Sequence, residues 1–249
     1  MTIRTVLFDL GGTLLYFDGE WPDVFRRADK ALMDALEQQG ITFDREAFGK
    51  DFRSRMNAYY TEREAEFTEY TTTFVLKEAL VSWGYLGVPD STIRPALDAM
   101  YSVSQAHWLP EEDAIPTLHA LRDKGYKLGL ISNAGDDKDV QVLVDKARLR
   151  PYFDVILTSA GLGIRKPNPR IFDIALSRLD ATTSQAVMVG DTLGADILGA
   201  QNAGVRSIWI TRRADNEANR AHGGEIVPDA AVDTLGEVPA MAGLLLGEE

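Results

Sequence analysis

The stretch VLFDLGGTLLYF, residues 6–17, runs from a short apolar segment into a single acid, Asp9, and then into Gly11, Gly12 and Thr13. Four other short apolar runs also end in small or polar residues: KLGLISN from Lys127, DVILTS from Asp154, AVMVGD from Ala186 and RSIWIT from Arg206. Runs of this length, rich in β-branched and aliphatic residues, are typical of β-strands that are covered on both faces.

Helical segments separate these strands after residue 127, at residues 138–148, 169–179 and 195–203. Parallel strands need crossover connections of about this length. The alternation therefore predicts an α/β fold built on a doubly wound, Rossmann-like parallel sheet. Residues 228–246 are predicted to add a last short strand and a closing helix.

Residues 18–108 interrupt this pattern and contain no convincing strand. Apolar residues recur there at helical spacing, for instance at Leu76, Leu80 and Trp83, and predict helices at 22–39, 44–63, 70–83 and 89–107. We therefore expect an α/β core made of residues 1–17 and 109–249, with a helical subdomain inserted at 18–108. Its aromatic residues are expected to pack inside it; they include Trp21, Phe25, Tyr59, Tyr60 and Phe74.

The amino-acid composition excludes several classes of binding partner and site. The 249 residues include 26 Lys and Arg against 38 Asp and Glu, a formal charge of −12, which argues against nucleic acid or an anionic membrane as a partner. There is no cysteine, which excludes disulfides and thiolate sites. The first residues, MTIRTVLFDL, lack the pattern of a signal peptide, so we expect a cytoplasmic location.

Polar residues at the strand ends form the candidate site, because ligands of open α/β sheets bind at the carboxyl ends of the strands. Asp9 and Asp191 each end a strand and can hold a hard cation such as Mg²⁺. Ser132 and Lys166 can bind phosphate oxygens, helped by backbone amides of the glycine-rich turn. A small phosphorylated molecule is the expected substrate.

The chain resembles the haloacid dehalogenase superfamily, which consists mostly of phosphatases. Four motifs carry the resemblance, in the family's order: FDLGGTL at 8–14, LISN at 130–133, Lys166 within GIRKPNPRIF, and VGDTLGADILGAQNAG at 189–204. The helical insertion after the first motif is similar to the mobile cap with which the family closes its active site and selects substrates.

The resemblance implies a catalytic role for Asp9 and a metal site beside it. Asp9 would attack phosphorus and form an aspartyl-phosphate. Mg²⁺ would be bound by Asp9, Asp191 and the backbone carbonyl of Gly11. Asp196 would orient the waters of the metal or the side chain of Lys166.

The same resemblance implies how the phosphoryl group is held. Thr13 and Ser132 would donate hydrogen bonds to the nucleophile and the phosphoryl oxygens, with Asn133 beside them at the strand end. Lys166 would neutralise charge in the transition state, and the turn at Gly11 and Gly12 would supply backbone contacts to the anion.

One position departs from the family's pattern. The phosphatases carry a second Asp two residues after the nucleophile, which protonates the leaving group and later activates water; this chain has Gly11 there. General acid–base catalysis contributes about 10² to 10⁴ in rate, so its loss should affect esters with poor leaving groups most. Acids that could replace it are Asp18, Glu20, Asp136 and Asp137.

Other functions remain open from the sequence. A branch that cleaves phosphonates also lacks the second Asp and uses a cap lysine, for which Lys30, Lys50 and Lys77 are candidates. The 2-haloacid dehalogenases lack it too, but they use no metal, and the intact VGDTLGAD counts against them. A weak or inactive relative that binds a phosphorylated ligand is the remaining alternative to a Mg²⁺-dependent phosphatase.

Overall fold

The computed structural model describes residues 4–247, apart from the side chains of residues 62–66. The strands are β1 (Thr5–Phe8), β2 (Leu15–Phe17), β3 (Trp108–Pro110), β4 (Lys127–Ser132), β5 (Val155–Thr158), β6 (Ala186–Gly190), β7 (Arg206–Ile210) and β8 (Ala230–Val232). Six of them form one parallel sheet in the order β5-β4-β1-β6-β7-β8. The predicted Rossmann-like sheet is confirmed.

The longer α-helices of the described residues are α1 (Trp21–Gln38), α2 (Arg45–Glu66), α3 (Thr72–Ser82), α4 (Asp90–Gln105), α5 (Ala114–Asp123), α6 (Asp137–Lys146), α8 (Pro169–Arg178) and α11 (Val238–Leu245). The shorter ones are α7 (Ser159–Leu162), α9 (Leu198–Asn202) and α10 (Glu217–Ala221). A π-helical turn, Leu193–Ile197, leads into α9. None of the helices within residues 4–247 is long and apolar enough to cross a membrane.

Helices cover both faces of the sheet because successive side chains of β1 point to opposite sides. Val6 and Phe8 pack with residues of α5, α6 and α11, whereas Leu7 packs with residues of α8 and α9. All three side chains are fully buried. This two-sided burial explains the uninterrupted apolar runs in the sequence.

Helices α1 to α4 enclose a separate apolar cluster, which contains Leu36, Phe52, Leu76 and Leu97 among others. They lie between β2 and β3, two short strands that pair antiparallel with Leu15 opposite Pro110. The sequence interpretation missed both strands, because three residues are too few for a visible period-2 pattern. The antiparallel pair of β2 and β3 brings the start and the end of the insertion together.

Polar contacts hold the insertion against the strand ends. The Thr72 amide donates to the Gly135 carbonyl at 2.8 Å, and Arg94 Nη1 donates to Asp136 Oδ2 at 2.6 Å. Ser159 Oγ donates to Glu69 Oε2 at 2.8 Å. These contacts join α3, α4 and the segment before α3 to the loops that follow β4 and β5.

Candidate active site at the carboxyl ends of the strands

Sheet register gathers the predicted polar residues. Phe8 pairs with Leu130 on one side and with Val189 on the other, so Asp9 lies one residue beyond both pairs. The Asp9 amide continues this ladder by donating to the Val189 carbonyl at 2.9 Å. Asp191 follows directly after β6, so its side chain starts beside Asp9 at the same edge of the sheet.

Lys166 lies at the centre of the group. Its ammonium donates to Asp9 Oδ1 and to Asp196 Oδ1, each at 2.6 Å, and to the Ile131 carbonyl at 2.7 Å. The side chain is only 1% exposed. Burial acts to lower the pKa of Lys166, but its ion pairs with Asp196 and Asp9 raise it. The lysine is therefore a fixed cation directly beside the candidate nucleophile.

Three carboxyl groups lie around this single ammonium group. Asp9, Asp191 and Asp196 are all buried, and each offers an oxygen within 4.8 Å of the others. Burial raises the pKa of Asp9 to about 6, although Lys166 opposes the shift. Burial, followed by repulsion from Asp196 and Asp9, holds the pKa of Asp191 well above its usual range.

This donor set fits a hard divalent cation. Three buried carboxyl groups share one ammonium, and carboxylate oxygens are the ligands that Mg²⁺ prefers. A divalent cation would favour the ionised forms of Asp9 and Asp191, whose pKa values are raised by burial and, less strongly, by repulsion between the carboxylates. Asp196 is already engaged, because Oδ1 accepts from Lys166 and Oδ2 accepts from the Thr192 amide at 2.9 Å. Asp9 and Asp191 are therefore the better ligands of the three.

Two glycines make this close packing possible. Gly12 has φ +86°, and an added Cβ would lie 2.4 Å from Asp191 Oδ2. At Gly190 an added Cβ would lie 2.3 Å from the Asp196 carboxyl carbon. Real Cβ atoms do not approach other heavy atoms so closely, so any side chain at either position would displace a carboxylate.

Three further predicted residues lie at the site, and one of them, Thr13, makes a contact that differs from the expected one. Thr13 Oγ1 donates to Asp191 Oδ1 at 3.3 Å instead of to Asp9. Asn133 brackets the Lys166 backbone, since its Nδ2 donates to the Lys166 carbonyl and its Oδ1 accepts from the Lys166 amide, both at 2.9 Å. Ser132 ends β4 and lines the same cavity as Asp9.

Trp108 covers the position where the family's second acid would stand. An ideal Cβ on Gly11 would lie 3.1 Å from Trp108 Cη2 and 3.4 Å from Cζ3. The indole ring therefore fills the space next to residue 11 that a side chain would otherwise take. No sequence signal could have found this, because the two residues lie 97 positions apart.

A cavity of about 440 Å³ opens above these residues. Asp9, Ser132 and Lys166 line it from the sheet, and Trp21 and Phe25 line it from α1. The expectation that the insertion's aromatics pack inside it is wrong for Trp21 and Phe25, since Trp21 is 40% exposed and Phe25 is 37% exposed. A signal was present, because Trp21 and Phe25 form an apolar i, i+4 pair beside the buried stripe of α1, which contains Val24 and Ala28.

The suggested replacements for the missing acid and the suggested lysines do not line the cavity within the described part of the chain. Asp136 binds Arg94, and Asp137 accepts from Thr158 at 2.7 Å. Lys30 binds Asp34, and Lys77 binds Asp90. The remaining candidates are exposed; they are Asp18, Glu20 and Lys50.

Asp139 is an acid that the sequence interpretation did not consider. It lines the cavity from α6 and accepts from Gln105 Nε2 at 2.8 Å. Burial raises its pKa to about 7, with a smaller contribution from repulsion by Asp136. Asp139 therefore holds a proton for much of the time near neutral pH.

Sequence comparison places the chain among known enzymes. The family model described as haloacid dehalogenase-like hydrolase matches residues 3–204. A glyceraldehyde 3-phosphate phosphatase of Methanothermobacter thermautotrophicus is 30% identical over 88% of this chain and 90% of its own length. A ribulose-1,5-bisphosphate 5-phosphatase of Halopiger xanaduensis is 29% identical over 94% of this chain and 96% of its own.

Solved structures agree with the sequence match. A HAD phosphatase from Thermococcus onnurineus superposes with a TM-score of 0.63 at 27% identity, covering 97% of this chain and 98% of its own. A 2-haloacid dehalogenase from Pseudomonas syringae pv. tomato superposes with a TM-score of 0.68, also at 27% identity, covering 98% and 99%. Both cover the helical insertion together with the sheet.

Proposed function

This chain belongs to the haloacid dehalogenase-like hydrolases, and we propose that it is a Mg²⁺-dependent phosphatase of a small organic phosphate, acting through an aspartyl-phosphate at Asp9. The observation that carries the proposal is the buried Asp9–Lys166–Asp196 chain of ion pairs at the bottom of a cavity. Relatives of similar length are named as phosphatases of small phosphorylated molecules, which supports the same class of substrate here.

Asp9 is proposed as the nucleophile because its carboxylate is held in place before substrate binds. Lys166 fixes one oxygen of Asp9 and offsets its charge, which lowers the repulsion felt by an incoming phosphate. Asp196 and the Ile131 carbonyl in turn fix the ammonium, and Asn133 fixes the Lys166 backbone. Catalysis by positioning of this kind avoids reorganising the site during the reaction.

Asp9 and Asp191, with the Gly11 backbone beside them, are proposed to hold the Mg²⁺. When bound, the cation supplies positive charge that screens the nucleophile from the phosphate and stabilises the transferring group. Thr13 positions Asp191 through its 3.3 Å hydrogen bond. Ser132 lines the cavity where the phosphoryl oxygens would bind, and the Gly12 turn lets the backbone leave β1 beneath them.

The helical insertion, residues 18–108, is proposed to act as a cap that contributes specificity. Its α1 supplies Trp21 and Phe25 to the cavity, and its contacts to the core include the polar pairs Arg94–Asp136 and Ser159–Glu69. Polar contacts of this kind resemble those of interfaces that open and close, so substrate could enter when the insertion moves from the strand ends.

The nucleophile is tested with Asp9→Asn. Phosphate release from a panel of sugar and aryl phosphates with Mg²⁺ should fall by about 10³-fold or more, because an amide is a poor nucleophile. Asp23→Asn is the matched control, since Asp23 is an exposed acid paired with Arg26. Turnover that persists in Asp9→Asn, or that is unchanged by EDTA, would contradict the proposed mechanism.

Two outcomes of the same panel would support other functions. Gly11 and the structural similarity to a 2-haloacid dehalogenase favour including a 2-chloro acid. Chloride release from it without metal would identify a dehalogenase. Calorimetric binding of Mg²⁺ and phosphate without turnover of any ester would identify a binding protein, and Asp191→Asn should then weaken the Mg²⁺ binding.

A further inference from the structure

The cavity presents flat aromatic surfaces near the proposed nucleophile. The rings of Trp21 and Phe25 are stacked with centroids 5.1 Å apart, and Trp108 meets Trp21 edge-on at 6.1 Å. Phe17 stacks on Trp21 at 3.6 Å and meets Trp108 edge-on at 5.2 Å. Trp21, Phe25 and Trp108 all line the cavity that contains Asp9.

These rings are held in place and yet incompletely covered. Arg53 lies over the Phe25 ring at 4.7 Å, and Asp29 fixes Arg53 through a two-pronged ion pair. Trp21 and Phe25 nevertheless remain 40% and 37% exposed. Partly exposed, preorganised rings around a cavity are suited to bind a flat apolar group, which would bury their remaining surface.

Trp108 and a side chain at position 11 compete for the same space. The Gly11 Cβ position lies 3.1 Å from the indole, tighter than an ordinary contact, so the ring would have to shift by a few tenths of an ångström to admit a carboxylate side chain there. The site therefore has an aromatic wall in the place of a proton donor.

Absence of a donor at this position limits the leaving group. A phenol has a pKa of about 10, so a phenolate can leave without being protonated first. An aliphatic alcohol is about as weak an acid as water and far weaker than a phenol, so its departure depends strongly on a general acid. Lack of the acid and the flat walls thus favour the same class of leaving group.

We propose that the substrate is an aryl phosphate, the phosphate ester of a phenol. Its ring packs against Trp21, Phe25 and Trp108, and its oxygen leaves as a phenolate. This inference rests on the proposed phosphatase function. It separates this chain from relatives named for aliphatic sugar phosphates.

Hydrolysis of the aryl phosphate needs no reactant other than water. A carboxylate oxygen of Asp9 bonds to phosphorus while the bond from phosphorus to the aryl oxygen breaks, and the electron pair leaves with the phenolate. The phenolate takes its proton from water. A second water then attacks phosphorus, Asp9 departs as a carboxylate, and the proton of that water passes to the released phosphate.

Three esters separate ring binding from leaving-group ability: phenyl, benzyl and n-butyl phosphate. Phenyl and benzyl phosphate share a ring, so their KM values should both lie below that of n-butyl phosphate. Benzyl and n-butyl phosphate share an aliphatic oxygen, so the rates at which they release alcohol in a single turnover should both lie about 10²-fold or more below the rate of phenol release from phenyl phosphate.

Trp21→Ala tests the ring site. It should raise KM for phenyl and benzyl phosphate about threefold to tenfold, the contribution expected of one aromatic contact, and leave KM for n-butyl phosphate within about twofold. Phe74→Ala is the control, because Phe74 is 49% exposed and lies outside the cavity lining. Phe25→Leu gives a second test if Trp21→Ala does not fold.

Gly11→Asp with Trp108→Leu tests the missing donor. The double variant should raise the single-turnover rate of alcohol release from benzyl phosphate toward the rate for phenyl phosphate, and Gly11→Asp alone should give a smaller gain because the indole restricts the space for the carboxylate. Asp139→Asn tests the competing explanation, that this protonated cavity acid already serves as the donor.

Several results would overturn the inference. They are equal effects of Trp21→Ala on all three esters, equal single-turnover rates of alcohol release from phenyl and benzyl phosphate, a double variant without the gain, or a large loss of benzyl turnover in Asp139→Asn. No turnover of any ester with Mg²⁺ present would overturn the proposed function and this inference with it, and is distinct from turnover without aryl preference.

Discussion

At the scale of single residues, close backbone approach defines this site as much as its charged groups do. Gly12 and Gly190 let Asp191 and Asp196 lie where any Cβ would collide. The Gly-Gly pair after Asp9 therefore has two separate meanings. Gly12 makes room for a carboxylate, whereas Gly11 leaves room for Trp108 and omits a proton donor.

Gly12→Ala should be destabilising and should weaken Mg²⁺ binding. The substitution puts a Cβ 2.4 Å from Asp191 Oδ2 and also places alanine at φ +86°. Gly125→Ala is the matched control, because Gly125 has φ +81° but nothing within 4 Å of an added Cβ. Left-handed strain alone costs about 1–2 kcal/mol, which should appear in both variants.

Thermal unfolding and Mg²⁺ calorimetry separate the two effects. Gly12→Ala should lose more stability than Gly125→Ala, and it alone should bind Mg²⁺ about tenfold or more weakly, because Asp191 is displaced. Equal losses of stability with unchanged Mg²⁺ binding would contradict the proposed role of Asp191 as a ligand.

At the scale of elements, the contact between α4 and α6 is a polar junction that the sequence did not reveal. Arg94 donates to Asp136, Lys138 to Asp98 at 2.6 Å, and Gln105 to Asp139. Burial raises the pKa of Asp139 in this junction to about 7. Its protonation therefore links stability to pH within the range where the enzyme is expected to work.

Asp139 should make the protein less stable as pH rises from about 4 to about 7. Its pKa is raised from 3.8 to about 7, so between these values the unfolded chain releases a proton that the folded chain keeps. Asp139→Asn removes the titratable carboxyl group and keeps an oxygen that accepts the hydrogen bond from Gln105. The free energy of unfolding of the variant should exceed that of the wild type by about 1–2 kcal/mol at pH 8 and by little at pH 4.

Asp145→Asn is the control on the same helix. A hydrogen bond from Arg150 lowers the pKa of the exposed Asp145, so its removal should slightly reduce stability at pH values above its ordinary pKa. Urea unfolding at pH 4, 6 and 8 measures both variants. A gain for Asp139→Asn that is the same at every pH would contradict the assignment.

At the scale of the whole molecule, separate apolar clusters support different parts of the site. Two clusters lie on opposite faces of the sheet, and a third lies within α1 to α4. The carboxylates lie at the carboxyl ends of β1 and β6 and in the turn after β6, and two of the three aromatic rings that line the cavity belong to α1. The proposed metal site and the proposed leaving-group site are thus supported by different cores.

Leu76→Ala and Leu128→Ala compare these cores. Both leucines are fully buried, the first in the insertion cluster and the second in the sheet cluster, so each substitution should cost about 2–5 kcal/mol. In hydrogen exchange, Leu76→Ala should weaken protection in α1 to α4 while β1 and β6 stay protected. Mg²⁺ binding should survive at temperatures where those helices open.

Leu128→Ala should instead lower protection of the strands and Mg²⁺ binding together. Loss of protection over the whole chain in both variants, with identical midpoints, would show that the insertion and the sheet unfold as one unit. The proposed division of roles between them would then lack a basis in stability.

The sequence by itself determined the sheet and the charged residues that meet at its edge, namely Asp9, Lys166, Asp191 and Asp196. Apolar runs ending in Asp9, Ser132 and Asp191 predicted parallel strands, and parallel strands place their carboxyl ends at one edge whatever the connections are. Lys166 was identified through its motif. These conclusions depend on local pattern and on the order of motifs, both of which are written along the chain.

Only the tertiary structure decided what stands next to these groups. Trp108 covers Gly11 from 97 positions away, Trp21 and Phe25 face the cavity instead of a core, and Thr13 bonds to Asp191 instead of Asp9. Hydrophobicity marks an aromatic ring as apolar without saying which apolar surface it meets. Contacts between distant segments depend on how the insertion packs over the sheet, and that packing, through Trp108, decides what surrounds the leaving group.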